Sequence, residues 1–139
     1  MAGAKLTLYY DNISYYSQRA ILALAEKGID CDTKIVSVAD MAFVDPWFIK
    51  LNPAGQIPIV THGDKVITET PRILEYLDQA FPDANRLHPD DADERKRVMY
   101  FRDFADSITV RSIMARVCTT SSPRSRLREF SSGTNRDDC

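Results

Sequence analysis

The chain has 139 residues, 44% of them hydrophobic, and a formal net charge of -2 at pH 7. That length allows one full domain, or one small domain with part of another, and supplies enough apolar residues for a packed core. The charge speaks against a nucleic-acid partner, which needs a basic face, and no apolar run approaches the roughly 20 residues that cross a bilayer.

Lys5 to Tyr10 (KLTLYY) is a short β-rich run and predicts a first strand. A turn through Asp11, Asn12 and Ile13 leads to Ser14, and Gln18 to Lys27 then carries Ile21, Leu24 and Ala25 on one helical face, with Gly28 as the C-cap. Thr33 to Val38 alternates as a second strand, so the strand-helix-strand unit predicts a parallel pair. Pro46 to Leu51 is a short helix with Trp47 and Phe48 turned inward.

Ile57 to Thr61 predicts a third strand that contains a proline. Pro58 cannot donate to a sheet ladder, which is resolved if it stands where the strand begins. Two readings follow: a plain strand-initiating proline, or a cis Ile57-Pro58 bond that turns the Ile57 N–H and C=O toward an extended ligand, as an edge strand meets a peptide. His62-Gly63-Asp64 turns the chain into a fourth strand, Lys65 to Thr68.

Glu69-Thr70-Pro71 then opens a helix with Ile73, Leu74, Leu77 and Phe81 on one face. Pro71 suits the first helical position, which makes Thr70 the N-cap. A helix N-terminus welcomes a carboxylate, and Glu69 beside it can pair with an ammonium, so a ligand ending in an α-amino acid would be satisfied on both sides. The same pair also serves as an ordinary cap beside a solvated glutamate.

Strand, helix, strand, short helix, strand, strand, helix is a thioredoxin-like order, an α/β fold with a mixed four-stranded sheet and helices on both faces, expected over residues 4–82. Residues 83–91, rich in proline, aspartate and asparagine, read as a linker. A further helix follows over 92–117, capped by Asp91 with Glu94 three residues on, and Val98, Phe101, Ala105 and Ile108 make its apolar stripe. That stripe is expected to stay uncovered and to drive association. Residues 118–139 are rich in Ser, Thr and Arg without period, and read as a disordered tail. The N-terminus lacks a signal-peptide pattern, so the expected compartment is the cytosol. Cys31, Cys118 and Cys139 form neither CxxC nor a zinc spacing. With His62 and His88 the only histidines, no metal site is expected.

KLTLYY, Ser14 five residues before Arg19, AEKGI, PWFIKLNPAGQIPIV and TETPRILEYLDQAFP together resemble the N-terminal domain of the glutathione S-transferase superfamily. The run Trp47-Phe48-x-x-Leu51-Asn52-Pro53 with FRDFADSI is similar to the ganglioside-induced differentiation-associated branch, and the serine-using tau and zeta transferases are nearly as similar. The resemblance implies glutathione as co-substrate, a small electrophile as its partner, and a homodimer. Ile57 would bind the cysteinyl backbone, with Pro58 the cis-proline that presents it. Glu69 and Thr70 would hold the γ-glutamyl end, and Gln56 and Lys50 would lie near the glycyl carboxylate. Ser14 would activate the thiol, with Tyr10 as the alternative hydroxyl and Tyr15, Tyr16 and Ser17 as groove-lining side chains. The implied reaction is conjugation to an electrophile or isomerisation of a double bond. The alternatives are a non-catalytic binding or adaptor module and a truncated product without activity. Of the family's helical second domain only the first helix is expected within these residues, and no counterpart of the membrane anchor of the ganglioside-induced branch is expected among them.

Overall fold

The computed structural model describes residues 5–110 and Ser112. The expected tail, with Cys118 and Cys139, lies outside the described residues. The chain divides into two units, one ending at Asp91 and the other beginning at Ala92.

The first unit is a four-stranded mixed sheet in the order β2-β1-β3-β4. Strand β1 (Leu6–Tyr10) pairs in parallel with β2 (Asp32–Ile35) and antiparallel with β3 (Ile59–His62), which turns into β4 (Lys65–Ile67). β1 is central and buried on both sides, so its alternation separates two cores. Leu6 and Leu8 face Ala20, Ala23, Leu24, Val60, Ile73 and Leu77, while Tyr9 joins Val36, Phe48 and Ile59 on the opposite face.

Helix α1 (Tyr15–Lys27) begins three residues earlier than the periodicity predicts, because Ser14 caps it: the Ser14 Oγ accepts from the Ser17 amide. Gly28 ends it at φ 62°, a left-handed position where glycine carries no Cβ penalty. Its buried face runs through Ser17, Ala20, Ala23, Leu24 and Lys27. Ile21 packs at the margin of that core, but Ala25 points to solvent, contrary to the expected face. The small alanines let α1 lie close to the sheet and to α3 (Thr70–Ala80).

Helix α2 (Pro46–Leu51) covers the other face through Phe48, which is wholly buried. Trp47 was expected inward as well and is instead 49% exposed, because adjacent residues on one turn cannot both face the sheet. Its ring lies against Tyr9, with centroids 6.1 Å apart. β2 stops at Ile35 and β3 starts at Ile59, so both are shorter than expected.

In α3, Ile73 and Leu77 are fully buried and Leu74 and Phe81 are partly so. The N-cap is Glu69 rather than Thr70: the Glu69 carbonyl accepts from the Ile73 amide at 3.0 Å, and Pro71 stands one place further in. The second unit contains α4 (Ala92–Ala105), followed by a single π-type turn, Asp106–Val110. Val98, Phe101 and Ile108 are exposed on it.

Candidate functional site

The registers bring three distant segments to one end of the sheet. β1 finishes beside the start of β3, since Tyr9 pairs with Ile59. β4 runs back to that same end, since His62 pairs with Lys65 and Val60 with Ile67. Ser14, four residues beyond β1, Ile57-Pro58, just before β3, and Glu69-Thr70, just after β4, therefore all leave the sheet at this end.

Ser14 occupies the mouth of α1 with extended backbone, φ -81° and ψ 117°. Its hydroxyl oxygen accepts from the Ser17 amide at 3.2 Å, an interaction that leaves the hydroxyl hydrogen available to an outside acceptor. Tyr10 belongs to the last rung of β1 and packs against the core beneath α1 and α3. Tyr15 is exposed in the first turn of α1, with the Arg19 guanidinium 5.9 Å from its ring centre. Tyr16 stacks edge-on against Tyr15, whereas Ser17 is fully buried and turned away from solvent.

The Ile57-Pro58 bond is cis, so of the two readings of this proline the structure has the second backbone form. Pro58 is buried, Ile57 is half-buried, and the strand ladder begins only at Ile59. The approach to this bond is shaped by Asn52, a residue whose role the sequence reading missed. Asn52 is buried; its Nδ2 donates to the Gln56 carbonyl at 2.7 Å and its Oδ1 accepts from the Ala54 amide at 3.2 Å. The available signal was an asparagine opening an Asn-Pro-x-Gly turn. Gly55, at φ 62°, completes that turn close to the Phe43 carbonyl, where a Cβ would come to 3.2 Å. Gln56 and Lys50 are both exposed on this segment.

Glu69 has φ 66° and ψ 118°, a positive-φ conformation rare for a side-chain-bearing residue. Its side chain is exposed, and Thr70 beneath it is buried. Strained backbone of this kind persists where the surroundings over-determine it, as they do at ligand clamps. The N-terminus of the 11-residue helix α3 opens beside it.

Elsewhere in the first unit, burial pushes the Cys31 thiol up, and Asp30 and Asp32 add to the effect. Cys31 is thus kept protonated, the opposite of an activated thiol. No group of three or more metal-ligating side chains occurs among the described residues, and none of their helices is long and apolar enough to cross a membrane.

A family description, the glutathione S-transferase N-terminal domain, matches residues 8–85. The chain is 38% identical over 91 residues to glutathione S-transferase 1 of Dianthus caryophyllus, covering 66% of this chain and 41% of that protein. It is 30% identical over 106 residues to human ganglioside-induced differentiation-associated protein 1-like 1, covering 74% and 29%. Among solved structures, a glutathione S-transferase from the Antarctic clam Laternula elliptica superposes with a TM-score of 0.71 at 32% identity, over 91% of this chain and 59% of that one. The β-etherase LigF from Sphingobium sp. strain SYK-6 superposes at 0.69 with 33% identity, over 73% and 42%. The chain spans less than half the length of the two sequence relatives. With its mixed four-stranded sheet and its match over residues 8–85, the chain belongs to the glutathione S-transferase family, through that family's N-terminal domain.

Proposed function

We propose that this chain binds glutathione at the end of the sheet where Ser14, Ile57 and Glu69 converge, and activates its thiol for transfer to a small electrophile. The convergence carries the reading: three segments with complementary chemistry leave the sheet together. Ile57 offers backbone N–H and C=O to the cysteinyl part, Glu69 and the mouth of α3 receive the ammonium and carboxylate of the γ-glutamyl end, and Gln56 and Lys50 lie toward the glycyl carboxylate.

The chemistry asked of Ser14 is modest. A free thiol has a pKa near 8.5, so a few per cent is thiolate at neutral pH. A hydroxyl donating to the sulfur, beside a helix N-terminus, stabilises the anion; two pKa units amount to about 2.7 kcal/mol. The thiol proton passes to solvent, the sulfur lone pair forms the new carbon–sulfur bond, and the electrons of the bond it displaces leave with the leaving group or move onto a conjugated acceptor. In this reading the protein acts as a homodimer in the cytosol, where glutathione is kept reduced.

A second reading, a module that keeps the groove and docks a partner without turnover, is favoured by the exposed apolar side chains of α4, Phe101 among them at 66%. Retention on immobilised glutathione, lost in Glu69→Ala, is expected if the groove works, and no retention by the wild-type chain defeats both readings. Turnover of a nitroaromatic electrophile then separates them.

A further inference from the structure

We propose that Asp11 is the positioning residue of the activating hydroxyl, holding Ser14 in place by knotting the turn before α1 to the segment after β2. The inference rests on the reading of Ser14 given above, and deepens it.

Asp11 is 7% exposed. Its Oδ1 accepts from the Ile13 amide at 3.0 Å and its Oδ2 from the Val38 amide at 2.6 Å. Its carbonyl accepts from the Ser14 amide at 3.2 Å, and its own amide donates to the Oγ of fully buried Ser17 at 3.3 Å. The Ser17 amide in turn donates to the Ser14 Oγ. The bonds form a closed ring, from Asp11 to Ser17, from Ser17 to the Ser14 hydroxyl, and from the Ser14 amide back to Asp11. Gln18 braces the same turn, its amide on the Ser14 carbonyl at 3.0 Å and its side-chain Nε2 on the Asn12 carbonyl at 2.7 Å.

The contact with Val38 fixes this ring to the sheet. The backbone pairing of β1 with β2 ends as the Val36 amide meets the Tyr10 carbonyl at 2.8 Å. The Asp11 carboxylate extends that join by one further link, so the turn bearing Ser14 is tied to the strand edge and not only to α1. Both carboxylate oxygens are used, each by a different amide. An asparagine has a single acceptor oxygen, and its NH2 would face one of the two N–H groups. A hydroxyl that must point at a sulfur depends on such a supporting shell, because hydrogen bonds weaken steeply when misaligned. Asp11 contributes by geometry, since a carboxylate near a thiolate disfavours it electrostatically.

The test measures the thiol pKa of bound glutathione, by the ultraviolet absorbance of its thiolate, in the full 139-residue chain and in Asp11→Asn, Ser14→Ala and the double variant. Asp11→Asn is expected to raise that pKa by about one unit, a tenfold loss of thiolate, and to have no such effect when Ser14 is already alanine. The lost negative charge acts in the other direction, so a rise is diagnostic of positioning. An unchanged or lowered pKa in a folded Asp11→Asn chain overturns the proposal, as does an equal rise in the Ser14→Ala background. If Ser14→Ala itself leaves the pKa unmoved, or the wild-type chain binds no glutathione, the reading of the groove has failed and the proposal falls with it. Should Asp11→Asn not fold, Ser17→Ala removes the acceptor of the Asp11 amide and is expected to raise the pKa by a smaller amount; no rise there overturns the proposal equally.

Discussion

The Lys27 ammonium on α1 donates to the Asp78 carboxylate on α3 at 2.9 Å, and the two side chains are 0% and 6% exposed. Lys27 also donates to the Asn85 carbonyl at 2.7 Å. Asp78 accepts in addition from the Leu87 amide, the His88 amide and the His88 Nδ1. One buried pair thus fastens both helices to residues 85–88. Removing one member strands the other without solvent, so Lys27→Met and Asp78→Asn should each lower stability by about 3 kcal/mol. The double variant should lose less than the two together, because its members share one interaction. Urea unfolding of the four proteins checks this.

Acid should act on the same carboxylate. Burial pushes the Asp78 carboxyl up, but the hydrogen bonds from the Leu87 amide, Lys27 and His88 outweigh it and hold the group well below the usual carboxylate range. The folded value lies under the unfolded one, near 3.9. This contribution is therefore complete above about pH 4 and is lost as pH falls toward the folded value. Thermal melts at pH 6 and pH 3 should show a large drop for the wild type and a smaller one for Asp78→Asn.

Glu69 combines a strained backbone with the ligand role proposed for it. Its φ of 66° costs a side-chain-bearing residue about 1–3 kcal/mol, which glycine does not incur. Glu69→Gly should raise the melting temperature while abolishing retention on immobilised glutathione. A variant that loses both stability and binding would mean that the carboxylate supports the fold instead.

Ser14→Ala should lose about 1 kcal/mol of helix capping and raise the pKa of the bound thiol. Tyr10→Phe keeps the ring that packs on the core and should leave that pKa unchanged. The reverse pattern would transfer the activating role to Tyr10. Titration of the bound thiolate in the two variants decides it.

The exposed face of α4 predicts association. Val98 and Phe101 on α4 and Ile108 in the turn after it are all exposed, and contiguous apolar surface of this kind favours association. Light scattering should show concentration-dependent growth that Phe101→Glu reduces.

Most of the candidate site was legible because its residues announce themselves locally. A proline inside an apolar run, a hydroxyl before a helix and an acid beside a Thr-Pro start are all short-range patterns. Most of the errors arose where the deciding contact is not local. Ala25 lies on the expected side of α1 by spacing, yet the core is met by Ser17, Ala20, Ala23, Leu24 and Lys27, a face set by where the sheet and α3 lie. Trp47, by contrast, lost its inward place to Phe48 locally, because adjacent residues on one turn cannot both face the sheet. Lys27 reads as an ordinary last-turn cation, and only its partner 51 residues away makes it a core residue. Asp11 reads as a turn former until its carboxylate meets Val38, 27 residues on.

The sequence by itself determined the order of elements and the family, and placed the helix mouths to within one to three residues, because periodicity, capping and turn chemistry act over a few residues. The tertiary structure alone decided that β1 also pairs with β3, that Ser14, Ile57 and Glu69 share one end of the sheet, and that Asp11 and Asp78 are buried and satisfied. These depend on strand register and on hydrogen bonds between distant segments, which form only once hydrophobic burial has brought the segments together.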